Sequence, residues 1–182
     1  MSEIAKAWSI LDNADLVCSA EEIDRSIANV ATAISAQYRD RHPVLLCVMN
    51  GAIYFCGKLI GLLRFPLTLE YVHATRYGAE TSGGQILWRV EPPPSVRGRD
   101  VIIVDDILDE GITLNAVKAR IMALGATSCA VAVLANKLIG KDKPLKADFV
   151  GLDIPNRFVF GCGLDVSGHW RNLPAIYAVK GS

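Results

Sequence analysis

The sequence predicts an α/β domain with a mainly parallel central sheet flanked by helices. Three observations carry that expectation. Val44-Leu45-Leu46-Cys47-Val48 and Val101-Ile102-Ile103-Val104 are short, uninterrupted apolar runs, as strands covered on both faces require. Segments with apolar residues at helical spacing alternate with such runs. The order strand, helix, strand over 100–134 needs a crossover, and a crossover of that length joins parallel neighbours.

Each element has a local signal. Ser19 followed by Glu22 is a capping-box pattern, and Ile23, Ile27, Val30, Ile34 and Tyr38 then recur at helical spacing, which predicts a helix over Glu21–Arg39. Val44–Val48 follows Pro43 and ends at Asn50-Gly51; a helix over Ala52–Leu63 and a strand over Leu67–His73 come next. The stretch from Thr75 to Arg97, with its glycines and the run Pro92-Pro93-Pro94, is expected to be a loop or hairpin outside the core. Asp100–Val104 is the next buried strand, Ile112–Leu124 a helix stopped by Gly125, and Ser128–Leu134 a further strand. Phe149–Leu152, Phe158–Phe160 and Ala175–Val179 are short strand candidates. No repeat, low-complexity segment or linker interrupts the chain, so residues 1–182 are expected to form one domain.

Composition narrows the function. Lys plus Arg number 19 and Asp plus Glu 19, and apolar residues make up 51%, which argues against disorder and against a basic nucleic-acid surface. No apolar run reaches the roughly 18 residues of a membrane span, and the first residues lack a signal-peptide pattern, so a soluble cytoplasmic protein is expected. Cys18, Cys47, Cys56, Cys129 and Cys162 lack metal or redox spacing and are expected to be reduced, partly buried thiols. His42, His73 and His169 share no metal-ligand spacing and are expected to be structural or at the surface. Trp8, Trp88 and Trp170 form no aromatic ladder for single strands.

The chemistry concentrates at Val104-Asp105-Asp106-Ile107-Leu108-Asp109-Glu110-Gly111-Ile112-Thr113. Ligands of parallel α/β sheets gather at the carboxyl edge, and this segment places acids there just before a turn and a helix. The N–H groups of Asp109, Glu110, Gly111, Ile112 and Thr113 can wrap a phosphate, with Gly111 permitting close approach and Thr113 adding a hydroxyl donor. Asp105 and Asp106 would repel that phosphate unless they take sugar hydroxyls or share a divalent cation, so a phosphorylated sugar bound with Mg²⁺ satisfies both halves. The bland alternative is that the acids cap the helix and face solvent. No Walker A loop is present, which disfavours nucleoside triphosphate hydrolysis.

This segment resembles the phosphoribosyl pyrophosphate motif of type I phosphoribosyltransferases. Other segments are similar to the hypoxanthine-guanine branch: Val48-Met49-Asn50-Gly51-Ala52, Thr75-Arg76-Tyr77-Gly78, Asp148 to Pro155, Phe158 to Asp165, and Arg171-Asn172-Leu173-Pro174. The resemblance covers most of the chain. It implies a flexible lid over about 75–97, beginning at Arg76 and Tyr77, a purine-recognition region over about 136–175, and a small hood built from the termini.

It also implies roles. Asp105 and Asp106 would hold the ribose hydroxyls, and the loop from Asp109 through Glu110, Gly111 and Ile112 to Thr113 the 5′-phosphate. Asp109 would handle the proton of the purine imidazole, Lys137 would read the 6-oxo group, Phe158 would stack on the base and Val159 would complete its edge. Asn50, Gly51 and Arg171 would meet pyrophosphate, and Asp105 and Asp165 would enter the magnesium shell. Each has a plain structural reading as well: Lys137 as a loop charge, Phe158 as core, Asp165 as a turn residue, Arg171 in a surface ion pair. Against the family pattern, Asn50 stands where many relatives carry a basic residue, Glu110 where a small hydroxyl residue is common, Ile112 where a polar one is, and Arg76 where a small one is.

The implied activity is purine salvage: transfer of the 5-phosphoribosyl group to hypoxanthine or guanine, giving IMP or GMP and pyrophosphate, by a Mg²⁺-dependent homo-dimer or homo-tetramer. Two alternatives remain open at this point. One is a phosphoribosyltransferase for xanthine or a pyrimidine. The other is an RNA-binding regulator that retains the phosphoribosyl site, against which neutral charge and the lysine, aromatic and acid pattern both speak.

Overall fold

The computed structural model describes residues 2–76 and 86–182. Its main body is a six-stranded sheet built from β2 (Val44–Val48), β3 (Thr68–Arg76), β4 (Ile86–Val90), β5 (Asp100–Leu108), β6 (Ser128–Leu138) and β7 (Phe149–Pro155), in the spatial order β4-β3-β2-β5-β6-β7. All neighbours run parallel except the β3–β4 pair at one edge. A second sheet of order β1-β9-β8 joins β1 (Asp15–Cys18) to β8 (Val159–Phe160) and β9 (Ile176–Ala178), all antiparallel. That is the hood expected from the two ends of the chain.

Helix α2 (Ala20–Tyr38) starts where the sequence places it, because the Ser19 hydroxyl accepts the Glu22 N–H and the Glu22 carboxylate accepts the Ser19 N–H. Its buried stripe of Ile23, Ile27, Val30, Ile34 and Tyr38 packs on β6 and β7. α3 (Ile53–Ile60) leans on α2, β2 and β5, and is shorter than the expected Ala52–Leu63 because the chain turns at Gly61. α4 (Ile112–Ala123) buries Leu114, Val117 and Ile121 and stops at Leu124 before Gly125, whose φ of +90° suits glycine. Every residue of Val44–Val48 is buried, as a strand covered on both faces must be.

The strand order sets the position of any ligand. From β2 the chain steps to β3 on one side; after the β3–β4 hairpin it returns to β5 on the other side of β2. The two crossovers therefore diverge from the gap between β2 and β5, and a crevice opens beyond their carboxyl ends. The segments that leave there are Met49-Asn50-Gly51 and Asp109-Glu110-Gly111.

Several expectations are corrected. Helix α1 (Glu3–Asp12), capped by Ser2, and strand β1 were not anticipated, since α1 buries only Ala7 while Ile4 and Trp8 stay exposed, leaving little apolar periodicity to read. β5 and β6 run about four residues beyond their apolar runs, so Asp105 and Asp106 are themselves strand residues rather than the turn that follows. Of the stretch 75–97, the described parts include the end of β3 paired antiparallel with β4, and they are not wholly outside the core: Val96, in a 3₁₀ turn at Pro94–Val96, is fully buried. Tyr77 and the rest of 77–85 lie outside the described residues. The five cysteines are free, and all but Cys18 are buried.

Close packing between α2, β6 and β7 depends on one missing side chain. A Cβ at Gly151 would lie 2.5 Å from the Leu134 carbonyl oxygen and 3.3 Å from the Ser26 hydroxyl. Gly151→Ala is therefore expected to destabilise the fold by about 1–3 kcal/mol, read as a lower urea midpoint at unchanged m-value.

Candidate active site

A cleft of about 570 Å³ opens at the crevice between β2 and β5. Its walls include Met49, Asn50 and Gly51 after β2, Asp105 and Asp106 on β5, the run from Asp109 to Thr113, Lys137 at the end of β6, and Arg171. The site residues read from the sequence at these positions thus share one cavity. Three do not line it. Phe158 is exposed at the start of the hood, Val159 is buried in β8, and Asp165 lies behind Arg171.

The acid pair is the unusual feature. Asp106 is only 8% exposed, and its carboxylate sits where a Cβ of residue 51 would be: an added methyl at Gly51 would come within 2.1 Å of Asp106 Oδ2. Gly163, at φ +104°, brings the hood against the same point, with Gly51 O only 2.0 Å from where its Cβ would stand. Asp105 Oδ1 accepts the Asp106 N–H at 2.9 Å. Burial first, and the charge of Asp106 second, push the Asp105 carboxyl well above the ordinary carboxylate range. Burial also raises Asp106, opposed by its hydrogen bond with Asp105 and by the Arg171 guanidinium. Both members of the pair are thus shifted toward the protonated form, Asp105 the more strongly.

Arg171 is held in place rather than free. Its guanidinium donates to the Gly163 carbonyl at 2.5 Å and pairs with Asp165, whose carboxylate also accepts the Gly168 N–H at 2.7 Å. Asp165 therefore orients the arginine that faces the cleft. Its carboxylate is already occupied by these partners.

The turn after β5 is shaped for an anion. Gly111 takes φ +79° as the residue preceding α4, and no side chain caps that helix. The first-turn N–H groups have no side-chain acceptor and open on the cleft, where a phosphate suits both their direction and the helix dipole. Glu110 lines the cleft too; its side chain is exposed, with Lys141 Nζ 3.8 Å away. At the other end Lys137 Nζ donates to Asp109 Oδ2 at 2.6 Å.

Sequence reasoning missed His73, Ala74 and Asn156, which also line the cleft, as does Thr75 at the expected start of the lid. His73, expected to be structural or at the surface, reaches it because β3 borders β2 at the crevice and its register breaks between His73 and Ala74. The parallel register with β2 was the only signal that would have found it.

Comparison with known proteins agrees with this geometry. Residues 19–167 match the phosphoribosyl transferase domain. The chain is 33% identical over 166 residues to the hypoxanthine-guanine phosphoribosyltransferase of Bacillus subtilis, covering 91% of this chain and 92% of that protein. It is 32% identical over 165 residues to the hypoxanthine-guanine-xanthine phosphoribosyltransferase of Tritrichomonas foetus, covering 89% of each. The crystal structure of a hypoxanthine phosphoribosyltransferase from Staphylococcus aureus superposes with a TM-score of 0.88 at 25% identity, covering 94% of this chain and 95% of that one.

The buried acids make a stability prediction. A carboxyl raised in the folded state costs nothing below its unfolded value of about 3.9, and the penalty grows as pH rises toward the folded value and is complete above it. Asp105→Asn keeps the acceptor for the Asp106 N–H and removes that penalty. The ligand-free variant should melt a few °C above wild type at about pH 7.5, with the gap closing toward pH 4, as calorimetry across that range would read. On its fold, its cleft and its relatives, the chain belongs to the phosphoribosyltransferase family, in the hypoxanthine-guanine branch.

Proposed function

We propose that the chain transfers the 5-phosphoribosyl group of phosphoribosyl pyrophosphate to hypoxanthine or guanine, releasing pyrophosphate and forming IMP or GMP. One observation supports this reading above the others: a single cleft joins a helix start open to a phosphate, an adjoining acid pair of which Asp106 is buried, and a Lys137–Asp109 contact. A substrate with a phosphate, vicinal hydroxyls and an oxo-bearing base answers each in turn.

The phosphate takes the N–H groups from Glu110 to Thr113, with the Thr113 hydroxyl as a further donor. The ribose hydroxyls donate to Asp105 and Asp106, whose carboxylates are pre-set at the floor of the cleft. Pyrophosphate lies toward Asn50, Gly51 and Arg171. With Asn50 in place of a basic side chain, Arg171 carries the fixed positive charge at this end.

The base meets Lys137 and Asp109 along one edge. A 6-oxopurine presents O6 as an acceptor and, when N7 carries a hydrogen, an adjacent donor; the ammonium takes the first and the carboxylate the second. The purine thus satisfies both partners of the existing ion pair at once. As N9 bonds to the anomeric carbon, the C–O bond to pyrophosphate breaks and Asp109 accepts the N7 proton. Adenine offers an amino donor opposite an ammonium that can only donate, which disfavours it. By family resemblance Phe158 would stack on the base and Val159 complete its edge, which asks the start of the hood to meet a base that the ligand-free cleft does not bring to it.

The donor set fits Mg²⁺ in part. A half-buried and a buried carboxylate with raised proton affinity, side by side beside a phosphate cradle, are hard oxygen ligands whose charge Arg171 offsets only in part. Asp105 would hold the ion together with substrate oxygens, and bound Mg²⁺ would neutralise charge on the leaving pyrophosphate. Asp165 would reach it only by leaving Arg171.

The lid expected within 75–97 would exclude water while positive charge develops on the ribose; its centre, 77–85, lies outside the described residues. A homo-dimer or homo-tetramer in the cytoplasm, beside its phosphorylated substrates, completes the reading. Among the described residues no helix is long and apolar enough to cross a membrane.

Xanthine is the second reading, since it too carries the 6-oxo acceptor and appears in the name of the Tritrichomonas foetus relative. A coupled assay of hypoxanthine, guanine, xanthine and adenine, with Mg²⁺ present and then chelated, separates them. Turnover with hypoxanthine or guanine that stops on chelation is expected; turnover only with xanthine, or with none of the four, overturns the first reading. Asp109→Asn should lower kcat by about 10²–10⁴-fold with little change in phosphoribosyl pyrophosphate affinity. Lys137→Ala should raise the purine KM above all; a change in Tm alone would remove Lys137 from base recognition.

A further inference from the structure

Lys143 belongs to Lys141-Asp142-Lys143-Pro144, a stretch that reads as a solvated loop between β6 and β7. Its ammonium is nevertheless fully engaged. Nζ donates to the Leu108 carbonyl at 2.7 Å, the Lys137 carbonyl at 2.7 Å and Asn136 Oδ1 at 2.8 Å. An ammonium has three N–H donors, and these three acceptors take them all. Asn136 is fixed in turn, its Nδ2 donating to Asp153 Oδ1 on β7 at 2.7 Å. The position is dry enough that desolvation lowers the Lys143 pKa despite the nearby charges of Asp109 and Asp153, with Lys137 adding to the depression.

The acceptors are not a random set. The β5–β6 ladder ends at Leu108 opposite Asn136. Past that point β5 and β6 part while Lys137 stays paired with β7, and one ammonium takes the Leu108 and Lys137 carbonyls, the latter shared with the Ile139 N–H at 3.0 Å. Leu108 is the residue before Asp109, and Lys137 carries the ammonium that Asp109 grips. Pro144 also abuts the turn: a Cβ at Gly111 would stand 3.4 Å from its Cδ. The loop thus clamps the two strand ends from which the carboxylate and the ammonium project.

We infer that Lys143 is a positioning residue, which fixes the spacing of Asp109 and Lys137 and thereby the fit of the purine edge between them. It touches neither base nor phosphate and acts through two main-chain carbonyls. The inference rests on the roles proposed above for Asp109 and Lys137. Turnover of wild type with hypoxanthine, measured first in the same assay, separates a failure of that reaction from a failure of this assignment.

The test is Lys143→Met, which keeps the aliphatic stem and removes the donors, with each substrate varied at saturation of the other. The expected result is a loss of about ten- to a hundredfold in kcat/KM for the purine, with the KM for phosphoribosyl pyrophosphate within about threefold of wild type. Lys143→Arg should recover only part, because a planar fork cannot reach three convergent acceptors. Asn136→Leu leaves both carbonyl bonds and breaks the link to Asp153; it should shift the same parameter by a few fold and serves where Lys143→Met does not fold. Equal losses for both substrates, or wild-type kinetics alongside a lowered Tm, would show a merely structural lysine and overturn the assignment.

Discussion

Two carboxylates at the end of a strand buried on both faces impose conditions on everything near them. Asp106 has room only because residue 51 lacks a side chain, and Gly51 is in turn reached by Gly163 at a φ that favours glycine. Three segments distant in sequence are thereby fixed to one another: the turn after β2, the end of β5 and the hood. Arg171, held by Asp165 and the Gly163 carbonyl, faces the acids from the hood and partly offsets their charge. Each contact follows from accommodating charge where the fold alone would place an apolar residue.

The same edge departs from good folding practice in a second way. α4 begins without a side-chain cap, although Ser19 and Ser2 show that this chain caps helices elsewhere. A glycine at this cap forgoes about a few tenths of a kcal/mol relative to a capping side chain, and the raised Asp105 adds a further penalty at neutral pH. Both deficits lie within one cleft and have opposite sign, donors on one side and carboxylates on the other. A ligand bearing both a phosphate and hydroxyls relieves the two together, so the stability forgone in the free chain reappears as binding.

Legibility in the sequence followed the physics of each element. Val44–Val48 was read to the residue because a strand covered on both faces is uniformly apolar and is bounded by Pro43 and Asn50-Gly51. α2 was legible through its capping box and stripe. The ends of β5 and β6 were not, because Asp105, Asp106, Asn136 and Lys137 interrupt the apolar run just where the strands enter the site. α1 and β1 bury too little to leave a pattern. Within the site, the acids and the glycine turn were visible as a motif, and Lys137 and Arg171 through family resemblance. His73 and Lys143 were invisible, since strand register carries one to the cleft and loop return carries the other to the strand ends.

The Lys137–Asp109 pair shows why the purine end needs more support than the phosphate end. A phosphate is gripped by main-chain N–H groups whose direction is fixed by the helix itself, so the cradle keeps its geometry if one side chain changes. A base edge is read by two side chains that attract each other in its absence. Left to flexible strand ends, such a pair would collapse into whatever distance suits the ion pair, and a ligand would first have to separate it. Tying Leu108 and Lys137 to a single ammonium limits that collapse at the main chain, one residue from the carboxylate and at the lysine itself. On the roles proposed for Asp109 and Lys137, discrimination between an oxo and an amino group would depend on hydrogen bonds made behind the site as well as on the two side chains themselves.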